Sequence, residues 1–179
     1  YNVGMKLRYR VNDKFTVKLN SNYQYDPYNL GFVDIDANEE IIYGLRYLNT
    51  YINQLSATYI FKNDLYLTVN ARHYWSTAKY RKYLTLLENG DLEDNYIYDV
   101  NNNFNYNAFN IDLVFSWQFA PGSNLAIIYK NAIESDIAGI STIPDYSTNM
   151  KRMLNNPQVN SLSLKVLYYL DYQYLKRKK

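Results

Sequence analysis

The residues best equipped for chemistry in this 179-residue chain are few and scattered. His73 is the sole histidine, so any Ser-His-Asp relay or histidine-bound metal has to use it. It stands in Arg72-His73-Tyr74-Trp75-Ser76, near the outer end of a predicted strand, where an interfacial structural role is the expectation. Asp34, Asp36 and Ser76 fall in segments read as loops, and no spacing singles them out as partners for it. Asp34-Ile35-Asp36-Ala37-Asn38-Glu39-Glu40 begins like a calcium loop, with ligands at alternate positions. Glu39 and Leu45 then occupy the sixth and twelfth places, where such a loop needs Gly and Glu. It reads as an acidic loop tip, and Glu88-Asn89-Gly90-Asp91 reads as a turn. There is no Cys, which excludes disulfides, thiolate metal sites and Cys nucleophiles. Neither a glycine-rich phosphate loop nor a pair of catalytic carboxylates is present. The expectation is no catalytic residue, no cofactor and no metal.

The cations show more order. Lys6, Arg8, Arg10, Lys18, Arg46, Arg72, Lys130 and Lys165 all fall on the polar side of an alternating pattern, against only Asp112 and Asp171. The net charge is +2, too small to argue for nucleic acid, and the Lys176-Arg177-Lys178-Lys179 run reads as a solvated tail.

The elements that carry these residues have a period of two. Tyr1, Val3, Met5, Leu7, Tyr9 and Val11 alternate with polar residues, and Phe15 to Tyr25 repeats the pattern after a turn at 12–14. Further strands are expected over 43–61, 65–72, 109–118, 125–129 and 161–172. Composition agrees: 22 Tyr suit both strands and membrane interfaces. No stretch approaches the roughly 18 consecutive apolar residues of a spanning helix.

Short turns at 12–14, 62–64 and 120–123 alternate with long polar segments at 26–42, 77–103 and 134–158. Outer-membrane barrels have that rhythm, with short periplasmic turns and long extracellular loops. The expected fold is therefore all-β, an antiparallel up-and-down transmembrane β-barrel with the C-terminus in the periplasm. About seven strands do not close an even-numbered bacterial barrel, and an open edge leaves backbone groups unpaired in lipid. The chain 1–179 is thus read as the C-terminal portion of one larger barrel. Its remaining strands are expected from upstream sequence or from a partner protein.

Three stretches carry a resemblance. They are Arg72-His73-Tyr74-Trp75-Ser76, then Phe109-Asn110-Ile111-Asp112-Leu113 with Trp117-Gln118-Phe119-Ala120-Pro121-Gly122-Ser123, and finally Asn160-Ser161-Leu162-Ser163-Leu164-Lys165. Together they resemble the C-terminal barrel domain of a large uncharacterised Bacteroidota family, in which the barrel follows a carbohydrate-binding module of the family-nine type. The resemblance implies an outer-membrane location and an anchor, scaffold or conduit more than an activity. No sugar-binding module lies in the matching stretches, so no glycan site is carried over. The sequence also departs from barrels that end on an aromatic residue, since Tyr174 is followed by Leu175 and four basic residues.

Expected function follows in three classes. The first is a non-enzymatic outer-membrane barrel whose partners are lipid and its remaining strands, with basic residues that either line a lumen favouring anions or pair with acids on the missing strands or on a plug. The second is a module binding glycan or protein through loop aromatics Tyr80, Tyr83, Tyr96, Tyr98 and Tyr146. The third is an outer-membrane hydrolase using His73, which full activity in His73→Ala would eliminate.

Overall fold

A computed structural model describes residues 1–170 and Tyr172. The described residues form one antiparallel sheet of eight strands. They are β1 (Asn2–Arg10), β2 (Phe15–Ile35), β3 (Ile41–Lys62), β4 (Leu65–Leu86), β5 (Leu92–Asn95), β6 (Phe104–Ala120), β7 (Ser123–Ala138) and β8 (Gln158–Leu167). Order across the sheet is β1-β2-β3-β4-β6-β7-β8, with short β5 paired to the outer end of β4. Neighbours in sequence are neighbours in space, as in an up-and-down meander. Among the described residues the sheet is open, since β1 and β8 are each paired along one side only.

The three short turns lie where the sequence places them. In the first, Asn12 Oδ1 accepts from the backbone N–H groups of Lys14 and Phe15 at 2.8 and 2.9 Å, closing the β1–β2 hairpin. At the β6–β7 turn Gly122 has φ 73°, a conformation that costs a glycine nothing.

The three long polar segments are corrected. Most of 26–42 and all of 77–86 and 134–138 continue the strands, so β3 and β4 reach 22 residues each. The true connections are 36–40, then 87–103 carrying β5, and 139–157 carrying a helix. Pro27 and Gly31 read as loop residues, but Pro27 sits in a bulge between the Asp26 and Asn29 pairs, where no ladder bond is required of it. In 77–86 the alternation fades because both faces carry buried residues, Thr77 and Leu84 on one and Ala78 on the other. Eight strands replace the seven expected, because the Glu88–Asp91 turn returns the chain as β5. The last strand spans 158–167 rather than 161–172, and Tyr168 and Leu170 lie beyond it. Asp171, Gln173, Tyr174 and the basic run 176–179 lie outside the described residues.

The helix was not expected. α1 (Tyr146–Leu154) is capped by Asp145, whose carboxylate accepts from the Thr148 N–H at 3.0 Å and from the Ser147 and Thr148 hydroxyls at 2.6 and 2.7 Å. Its inward residues Tyr146, Asn149, Met150 and Met153 follow the i, i+3, i+4, i+7 rule, but a single nine-residue repeat is a weak signal.

Register assigns every strand residue to one of two faces. On one lie Leu7, Leu19, Leu55, Val69, Leu113, Ile127 and Leu164, row beside row. On the other lie Lys6, Asn20, Gln54, Arg72, Asn110 and their neighbours. Much of the apolar face is open: Leu7 is 53% exposed, Leu55 45% and Leu164 68%. Aromatic rows bound it at both ends. Toward the loop end Tyr23 stacks on Tyr51 at 4.6 Å and Tyr51 on Trp75 at 4.8 Å. Toward the turn end Phe15 meets Tyr59 at 6.1 Å, and Trp117 meets Phe119 at 5.7 Å.

Candidate functional site

All eight sequence-selected cations lie on the polar face. Lys6 and Lys18 stand on its first two strands, with Arg8 paired directly to Lys18 and Arg10 to Thr16. Arg72 is reached across β3 through the Gln54 pairing, and Lys130 and Lys165 follow on β7 and β8. Lys130 pairs with Asp112 across the β6–β7 ladder. Among the described residues only Arg10 of these eight forms an ion pair, with Asp13 at 2.9 Å. The unneutralised cations cluster toward the turn end of the sheet. Arg46 stands apart at the loop end.

There the polar face carries a groove of about 520 Å³. Val33 of β2, Tyr74, Ser76 and Tyr80 of β4, Phe104 and Tyr106 of β6, and Asp136 of β7 line it. Arg46 is fixed at its edge: Nε donates to Asn29 at 2.7 Å and Nη1 to the Tyr80 hydroxyl at 2.6 Å, and its guanidinium lies 5.4 and 5.7 Å from the Tyr80 and Phe104 ring centres. Gly44 makes room for this. A Cβ there would come 2.3 Å from the Tyr80 ring, so only glycine lets the ring lie across β3.

His73 sits on the opposite face, in the body of β4 rather than at its outer end, and is buried under α1. Its Nε2 lies 3.2 Å from Asn107 Oδ1, an acceptor, so Nε2 carries the proton. Nδ1 then accepts from the Tyr146 hydroxyl at 3.3 Å. The cluster continues: Trp75 Nε1 donates to Asn105 at 2.6 Å, and both Asn105 and Asn107 donate to Asn149 Oδ1 at 3.0 Å. Every buried polar side-chain atom among the described residues has a partner.

The proposed hydrolase partners of His73 do not meet it. Ser76 lies in β4 rather than in a loop, on the polar face, beside Thr50 at 3.4 Å. Asp34 is in β2, where the Tyr98 hydroxyl donates to it at 3.2 Å. Asp36 is in the 36–40 turn, its carboxylate accepting from the N–H groups of Asn38 and Glu40 at 2.9 Å each. The calcium-like start is thus a self-contained turn, and among the described residues no group of three or more His, Asp or Glu is placed to hold a metal. Of the aromatics assigned to loops, Tyr80 and Tyr83 are strand residues stacked at 5.5 Å, Tyr146 is helical, and Tyr96 and Tyr98 lie in the β5–β6 connection.

Neither a curated protein nor a solved structure matches this chain. A family model does, described as a domain of unknown function, DUF5916, and it covers residues 1–179. The chain therefore belongs to the DUF5916 family.

Proposed function

We propose that this chain is part of an outer-membrane β-barrel that anchors a larger Bacteroidota protein and gives it a polar conduit, with no catalytic role. The observation that carries the reading is the apolar face, exposed from the Tyr59 and Trp117 rings at the turn end up to the Tyr51–Trp75 row, where Tyr146 of α1 covers it. A soluble sheet buries such a face, and contiguous apolar patches of this extent mark contact with a partner or a membrane. Tyr51 and Tyr59 are eight residues apart on β3, about 26 Å at roughly 3.3 Å per residue. A tilt of 35–45° reduces that to about 20 Å, close to the roughly 25 Å apolar band of outer-membrane barrels. The exposed Tyr59 and Trp117 rings suit the interface at the turn end, where an apolar ring can keep a polar group wet.

In this reading the polar face turns inward and its cations line the lumen, the short turns are periplasmic, and the strands project outward beyond the membrane. The edges of β1 and β8 have to be paired by further strands, because an unpaired edge in lipid costs several kcal/mol per backbone group. Those strands come from the rest of the protein or from a partner chain. The Bacteroidota resemblance supports the location and suggests an association with glycan handling.

A detergent gel tests the barrel: membrane-extracted protein should run as a heat-modifiable band, and a monomer soluble without detergent would overturn it. Planar-bilayer recording tests the conduit. Anion preference is expected from the basic lining, whereas cation preference or the absence of conductance would leave only the anchor.

A further inference from the structure

The groove on the polar face is built with more care than a gap between side chains. Two glycines on facing strands make room for its wall: a Cβ at Gly31 would meet Arg46 Nη2 at 2.8 Å, and one at Gly44 would strike the Tyr80 ring. Arg46 is thereby locked between the Tyr80 and Phe104 rings and is already hydrogen-bonded to Asn29 and Tyr80. The backbone N–H of Tyr80 is held in turn by Asn103 Oδ1 at 2.7 Å. Across the groove, Glu134 and Asp136 are two residues apart on β7 and so share one face. The Tyr106 hydroxyl donates to Glu134 at 3.1 Å, while the Asp136 carboxylate has no hydrogen bond or ion pair among the described residues.

A ligand here meets the Tyr74 and Tyr106 rings, an open carboxylate, a serine hydroxyl and the Asn102 side chain together. Flat apolar faces beside acceptors and donors match a pyranose ring, which offers C–H groups on its faces and hydroxyl pairs at its rim. Asp136 is the one charged side chain in the lining; it disfavours an anion and can accept from a pair of sugar hydroxyls. The volume lies within the range of small-ligand sites. We infer that this groove binds a neutral oligosaccharide through Tyr74, Tyr106 and Asp136, with Tyr80 and Phe104, held by Arg46, forming its wall. Its position at the outer mouth of a lumen rests on the barrel reading; the recognition itself does not.

The test is saturation-transfer NMR with titration calorimetry on the full chain, in a detergent lacking a sugar headgroup. The probes are neutral gluco-, manno-, xylo- and chito-oligosaccharides. At least one should take saturation from the aromatic protons, and Tyr106→Ala and Asp136→Asn should each weaken it by about tenfold or more. Tyr96→Phe, outside the groove, should leave it unchanged. The assignment fails if none of the four classes binds, if both groove variants bind as tightly as the parent, or if only an acidic or quaternary-ammonium probe binds. Failure of the barrel reading shows separately, as loss of the heat-modifiable band with sugar binding retained.

Discussion

Asn149 of α1 and Asn107 of β6, 42 residues apart in the chain, exchange two side-chain hydrogen bonds: Asn149 Nδ2 donates at 2.7 Å and Asn107 Nδ2 returns one at 3.0 Å. Asn107 also faces His73, and Asn105 donates to Asn149 as well, so one buried amide holds the helix against the sheet. Asn149→Leu would strand the Asn105 and Asn107 donors under an apolar cap. Loss of buried partners costs about 1–3 kcal/mol for each group left unsatisfied. Unfolding in urea should show that loss, and amides across Tyr146–Leu154 should exchange hydrogen faster.

The cap of the same helix responds to pH. The Asp145 carboxyl is held well below its ordinary value of 3.8, first by the Ser147 hydroxyl and then by Thr148. A depressed carboxyl stabilises the fold in its charged form, so the contribution is complete above the ordinary value and is lost as pH falls through the lower folded value. Helix docking, followed by hydrogen exchange, should therefore be flat from neutral pH down to about pH 4 and weaken only in stronger acid. Asp145→Asn should remove that acid dependence.

Alternate residues of β6 should respond oppositely to charge. Leu113 lies on the apolar face and Asn110 on the polar one. An arginine facing lipid near the middle of the band costs about 2–4 kcal/mol, and one in a watery lumen costs little. Leu113→Arg should cut the folded, heat-modifiable fraction sharply, while Asn110→Arg, which faces Arg72 across the ladder, should cost much less, about 1 kcal/mol or under. Equal tolerance of both would contradict a lipid-facing Leu113.

Gly44→Val places a branched side chain where the Tyr80 ring and Val33 already lie. Overpacking of this kind costs about 1–3 kcal/mol. Thermal unfolding should shift downward, and the Arg46–Tyr80 contact should be lost. Gly90→Ala, whose site has nothing within 4 Å, bears a different penalty through its φ of 89° alone. Comparing the two separates a packing requirement from a backbone one.

The sequence by itself determined the two faces of the sheet and the three tight turns. Strict alternation forces Leu19 and Lys18 to opposite sides whatever the partner strand, and Asn12 and Gly122 encode their turns locally. It also placed all eight cations on one face, because parity along a strand is a local property. Tertiary structure decided how far the strands run, since Pro27 and Gly31 look like loop residues until a bulge and the Arg46 side chain accommodate them. It decided the role of His73 too. Nothing near that residue in the chain announces Asn107 or Tyr146, and only the ladder register and the return of α1 bring them together. The groove has the same origin: Gly44, Arg46, Tyr80 and Asp136 come from three strands, and long-range register leaves no local signature of its own.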